Sequence, residues 1–273
     1  MQQYHPYDAA SRIQDKLIFG EFGDVNPSIT DSSTFTFLSP DTMREAFDHE
    51  MEGCFLYSRH WNPTNKFLAQ ALALLEDTAS AHVTASGISA IACALLQICG
   101  AGDHIVCSRT IYGGTYALLK NLLPRFGITT TFVNVGDWAA VEAAITPQTK
   151  ALYFESISNP LLEVADIAAL SALAHSKGLQ VVVDNTFSPM ILTPHRLGAD
   201  VVVHSLTKFV NGTSDCVAGC ICATEDFVHE LSNVNSGATM LLGPVLDSTR
   251  AASILKNLHS LHIRMRQHSK NAQ

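Results

Sequence analysis

The segment His204-Ser205-Leu206-Thr207-Lys208-Phe209 follows the apolar run Val201-Val202-Val203, and a second such run, Val181-Val182-Val183, ends in Asp184. An amine and a carboxylate at the ends of β-branched runs stand where open parallel sheets take their ligands, outside the carboxyl ends of the strands. Alone, Lys208 reads as well as a solvated side chain, and Asp184 as the first residue of an Asx turn over Asp184-Asn185-Thr186. Ser205 and Thr207 shift the balance. One amine, one carboxylate and two donors suited to a phosphate are together what pyridoxal phosphate (PLP) asks of a protein. An ordinary lysine, with a pKa of about 10.4, is almost wholly protonated at neutral pH, so this reading calls for burial or neighbouring cations around the amine.

Three further groups fit the same chemistry. Ala85-Ser86-Gly87-Ile88-Ser89 follows a strand and opens a helix, where unpaired N–H groups and a partial positive charge favour an anion and glycine permits its close approach. A plain helix cap is the alternative. Tyr112, in Ile111-Tyr112-Gly113-Gly114-Thr115, is either a ring for a flat partner or an ordinary turn tyrosine. Tyr57 and Arg59, two apart in extended chain, point to one side and suit a phosphate clamp or, equally, a surface salt bridge.

These residues need a scaffold, and the spacing of apolar residues predicts one. Strands are expected at 82–84, 104–107, 129–133, 151–154, 180–183, 201–204 and 217–222. Helices are expected at 66–75, 88–98, 115–123, 138–144 and 167–176, with a helical pattern again from 244 to about 261. The alternation implies an α/β fold, a mostly parallel sheet covered on both faces. Residues 1–65 are richer in aromatic, Ser/Thr and Pro residues and read as an extended arm with one short helical stretch near 40–47; residues 224–243 are ambiguous.

Composition narrows the function. At 273 residues, 47% hydrophobic and 15% charged, the chain is globular in character, and its net charge of −8 without a basic block gives no attraction to nucleic acid. No apolar stretch reaches membrane-spanning length and the first twenty residues lack a signal pattern, which predicts a cytoplasmic protein without membrane contact. The seven cysteines are scattered and mostly apolar in setting, so they read as reduced core thiols, and no metal site is expected from Cys216, Cys220 and Cys222.

Read in order, Tyr57-Ser58-Arg59 with Asn62-Pro63-Thr64, Ala85-Ser86-Gly87 with Ser89-Ala90-Ile91, Tyr112-Gly113-Gly114-Thr115, Tyr153-Phe154-Glu155-Ser156 with Asn159-Pro160, Val183-Asp184-Asn185-Thr186-Phe187 and Ser205 with Thr207-Lys208-Phe209 resemble the trans-sulfuration (Cys/Met metabolism) family of PLP enzymes. Stretches such as Leu197-Gly198-Ala199-Asp200 and Arg264-Met265-Arg266 are similar to its plant-type methionine γ-lyase branch. At Gly114 the chain departs from the better-known bacterial branch, which has cysteine there.

The resemblance implies the type I fold of PLP-dependent transferases. It makes Lys208 the covalent anchor of the cofactor, Asp184 the partner of its pyridine nitrogen, and Tyr112 a stacking ring that helps sulfur leave. Gly87, Ile88, Ser205 and Thr207 would hold the phosphate and Asn159 would sit beside the ring hydroxyl. Tyr57 and Arg59 would reach the phosphate of a neighbouring subunit, in a homodimer or homotetramer with shared sites. The implied reaction is a carbon–sulfur lyase step on a small sulfur amino acid, first of all γ-elimination from methionine. Cystathionine γ-lyase or γ-synthase and O-acetylhomoserine sulfhydrylase chemistry are alternatives, and an inactive PLP-binding or oligomerisation fragment is another. Residues 66–255 would form the cofactor domain and 256–273 the start of the family's C-terminal domain, which holds the substrate-carboxylate arginine.

Overall fold

The computed structural model describes Ala9, Arg12, Ile13 and residues 23–37, 39–48 and 53–273. The rest of the expected arm lies outside the described residues. Within them the arm carries helix Pro40–Asp48 and an isolated bridge between Thr34 and Tyr57, and Ala9, Arg12 and Ile13 are helical.

Seven strands form one sheet: β1 (Ser80–Thr84), β2 (His104–Ser108), β3 (Thr129–Val133), β4 (Thr149–Glu155), β5 (Gln180–Asp184), β6 (Val201–Ser205) and β7 (Gly219–Ala223), in the order β1-β7-β6-β5-β4-β2-β3. All adjacent pairs from β6 to β3 are parallel, while β7 runs antiparallel to both β6 and β1. The sheet is therefore mixed, with a single reversed strand inside a parallel array. The valine runs of β5 and β6 are wholly buried, as strands covered on both faces must be. Edge strand β3 instead alternates, with Thr129 and Thr131 exposed and Thr130 half-buried.

Helices Pro63–Glu76 and Gly87–Ile98 frame the β1–β7 side of the sheet. The first starts on an Asn62 cap that accepts the Thr64 N–H, with Pro63 at its first turn. The expected helix at 115–123 is broken up: Gly113–Ala117 is α-helical, Leu118–Leu122 widens to a π turn and Leu123–Phe126 tightens to 3-10 before Gly127. Pro124 has no N–H for an α-helical ladder. The ambiguous 224–243 stretch forms two helices, Glu225–Ser232 and Ala238–Leu242, and the chain continues through Ser248–Leu258 and Leu261–Ala272. None of the helices among the described residues is long and apolar enough to cross a membrane.

Candidate active site

Strands β1, β2, β4, β5 and β6 end at one edge of the sheet, and there a cavity of about 1260 Å³ opens. Gly87, Ile88, Tyr112, Asn159, Asp184, Ser205, Thr207 and Lys208 all line it. Tyr57 and Arg59 do not. The Arg59 guanidinium lies 5.5 Å from the centre of the Tyr57 ring and donates to the Met240 carbonyl at 2.7 Å, so the two form a surface unit of their own.

One end of the cavity is built for an anion. Ser86 caps helix Gly87–Ile98 in a reciprocal box with Ser89, each side chain accepting the other's N–H at 3.1 Å, while the N–H groups of the first turn have no intrahelical acceptor. Gly87 has to be glycine: a Cβ there would sit 2.6 Å from the Ser205 Cβ, so only a bare backbone lets the helix start meet the end of β6. The Ser205 N–H is taken by the Thr186 hydroxyl at 2.7 Å. Thr207 differs from expectation, because its hydroxyl donates to the Ala218 carbonyl at 3.2 Å and accepts the Ala218 N–H at 3.1 Å. That hydroxyl ties the Lys208 segment to the chain entering β7.

Another part of the lining is acidic. Asp184 is buried at the end of β5 and stands in register with Glu155 at the end of β4. Its Oδ1 accepts the Thr186 N–H at 2.9 Å, so the Asx turn does form, and the Tyr153 hydroxyl donates to Oδ2 at 3.4 Å. Burial pushes the Asp184 carboxyl upward, against the pull of the Thr186 hydrogen bonds, the His204 charge and the Tyr153 hydroxyl. Burial and the neighbouring Asp184 charge push Glu155 up to about 7, although the Tyr112 and Asn159 N–H groups favour its ionised form. Among the described residues neither carboxylate forms a salt bridge.

Lys208, in the turn after β6, lines the cavity and is exposed, so of the burial or neighbouring cations called for, it does not have the burial. Tyr112 is also half open, and its ring folds back over Gly114, where a Cβ would lie 2.4 Å from Cε1. The Gly87 helix start, a buried carboxylate without a salt-bridge partner among the described residues and an amine line one cavity, a set that would suit a group with an anionic end and a protonated nitrogen. PLP has this character.

Residue patterns alone did not single out Glu155, Thr186, Tyr153 or Arg264. Arg264 lines the cavity and donates to the Phe209 carbonyl and, at 2.9 Å, to that of Val210, so helix Leu261–Ala272 holds the segment just after Lys208. Its place in the Arg264-Met265-Arg266 stretch was the only available signal. No group of three or more potential metal ligands occurs among the described residues.

Residues 12–273 match the family model described as Cys/Met metabolism PLP-dependent enzyme. The chain is 50% identical over 260 residues to a methionine gamma-lyase of Arabidopsis thaliana, an alignment covering 93% of this chain and 59% of the relative. It is 38% identical over 254 residues to an O-succinylhomoserine sulfhydrylase of Pseudomonas aeruginosa, covering 93% of this chain and 61% of that one. A Campylobacter jejuni crystal structure that carries N'-pyridoxyl-lysine-5'-monophosphate superposes with a TM-score of 0.89 at 28% identity, over 97% of this chain and 73% of that chain. The chain thus spans about three fifths of the length of these two sequence relatives.

Proposed function

The chain belongs to the Cys/Met metabolism PLP-dependent enzymes, with their type I α/β fold, and from that membership we propose that the whole protein is a carbon–sulfur lyase converting L-methionine and water to methanethiol, 2-oxobutanoate and ammonia. The observation that carries this reading is the meeting of Lys208, Asp184, Tyr112 and the Gly87 helix start in one cavity. Half identity to a plant methionine gamma-lyase supports the choice of substrate.

Bound PLP supplies an electron sink for the substrate's α-carbon. Lys208 would hold it through Nζ, and its amine would take up and return protons at the substrate's carbons. Asp184 would keep the cofactor's nitrogen protonated through an ion pair. Tyr112 would stack on the cofactor and assist departure of the thiolate, and Asn159 would sit beside the cofactor. The N–H groups of Gly87 and Ile88, with the Ser205 side chain, would hold the phosphate, while Thr207, its hydroxyl tied to Ala218, would steady the Lys208 segment. Tyr57 and Arg59 serve a neighbouring subunit's phosphate in a homodimer or homotetramer, a reading supported by their position outside this chain's own cavity. Residues 66–255 form the cofactor domain and 1–65 the arm. A cytoplasmic setting is supported by seven cysteines that are all free thiols.

Incubation with L-methionine and PLP is expected to release 2-oxobutanoate and methanethiol. Similarity to the sulfhydrylase favours a second reading, in which an activated homoserine is the substrate. Turnover of O-acetylhomoserine with sulfide, and none of methionine, would reverse the order.

A further inference from the structure

We propose that Glu155 is a positioning residue that ties the two loops flanking the cavity to one carboxylate, and that the tie tightens when a cation meets Asp184. The first half rests on geometry alone; the second rests on the cofactor reading given above. Glu155 Oε1 accepts the N–H of Tyr112 at 2.7 Å, and Oε2 accepts the N–H of Asn159 at 2.8 Å. Tyr112 leads out of β2 and Asn159 out of β4, so each oxygen fixes a different loop. Both side chains are exposed, and burial does not position them. Tyr112 is moreover the cap residue of helix Gly113–Ala117 without any side-chain cap bond, which leaves Glu155 to fix its backbone.

An ionised carboxylate accepts well from both amides, but in a protonated carboxyl the oxygen that carries the hydrogen is a much weaker acceptor. Protonation of Glu155 therefore loosens the hold on one of the two loops. The titratable groups facing it are Asp184 on β5, Tyr153 on β4 and Cys107 on β2, and Lys208, Asp215, Arg250, Arg264 and His268 line the same cavity. Asp184, in register beside it, is the one whose charge opposes Glu155 ionisation most directly. A cation on Asp184 offsets that repulsion and keeps Glu155 ionised to lower pH.

Hydrogen exchange read by mass spectrometry tests this on peptides covering 109–117 and 157–164, corrected for intrinsic exchange and compared with peptides from β5 and β6. In the wild-type chain, protection of at least one loop should fall several-fold as pH drops through about 7. The fall should move to lower pH in Asp184→Asn, and again in wild type with PLP bound. Glu155→Gln, whose amide nitrogen cannot accept, should show low and pH-independent protection of one loop. Flat protection in wild type, a midpoint unmoved in Asp184→Asn, or wild-type behaviour in Glu155→Gln overturns the tie. Failure of PLP to bind, seen as no absorbance change, sinks the cofactor reading and the cofactor half of this proposal, while the ligand-free pH series still decides the first half.

Discussion

Glu76 and Asp184 are both buried carboxylates at the β5–β6 strands, yet one meets its counter-charge inside the fold and the other does not. Strand alternation separates them. Asp184 pairs in register with Val203, so it shares a face with Val203 and Glu155, whereas His204 points to the opposite face. There Glu76 Oε1 accepts from His204 Nε2 at 2.7 Å and from Asn185 Nδ2 at 2.9 Å, all three side chains being buried. Burial alone would lower the His204 pKa, but the hydrogen bond and charge of Glu76, helped by Cys220 and Asp184, raise it to about 9. On the cavity face Asp184 and Glu155 stand side by side and burial raises both. A carboxylate that meets its counter-charge within the chain is scaffold, and one left for a ligand's cation to meet is site.

The largest effect should come from Lys208→Ala. Borohydride should no longer fix a pyridoxyl group to the chain, and turnover should fall at least about 10³-fold, with stability changed by no more than about 0.5 kcal/mol because the side chain is exposed. That variant breaks the site and spares the scaffold. Glu76→Ala does the reverse. It strands a buried imidazole and should cost about 3–5 kcal/mol in urea unfolding. The pH dependence follows from the sign of the His204 shift: its stabilisation is complete below 6.5 and is lost as pH rises through about 9. Glu76→Ala should lose that alkaline decline. A smaller change, Gly87→Ala, opposes shape rather than charge. Its Cβ would lie 2.8 Å from the backbone Cα of Ser205, so about 1–3 kcal/mol of strain and weaker binding of inorganic phosphate are expected, read by thermal unfolding and titration.

Most of the scaffold side of this comparison was legible in the sequence, because a valine run with polar ends can hardly be anything but a buried strand. β3 and helices Trp138–Ala144 and Ile167–Ser176 fall where the pattern puts them. The reversal of β7 was not legible, since strand direction depends on how residues 209–218 return to the edge, not on residue type. Asp184 and Lys208 were readable as strand ends facing one edge. Glu155 was hidden, because its role arises from the Tyr112 N–H, 43 positions away. Nor did the sequence reveal that Thr207's hydroxyl is held by Ala218, or that Glu76 meets a histidine 128 positions along the chain.

Asp184→Asn sharpens the comparison through opposite signs in two measurements. The folded state raises the Asp184 carboxyl because burial disfavours its charge, so the ionised form weakens the fold at neutral pH and the penalty disappears below the ordinary value of 3.8. Asparagine keeps an oxygen for the Thr186 N–H and removes the charge. The variant should therefore unfold at a higher temperature than wild type near neutrality, lose that advantage in acid, and yet bind PLP at least about tenfold more weakly, a loss of about 1.4 kcal/mol or more. Glu76→Gln, by contrast, should lower stability at neutral pH, since it removes the charge that keeps His204 protonated. If Asp184→Asn lowers stability as Glu76→Gln does, both carboxylates are scaffold, and the cavity face has no ligand charge to wait for.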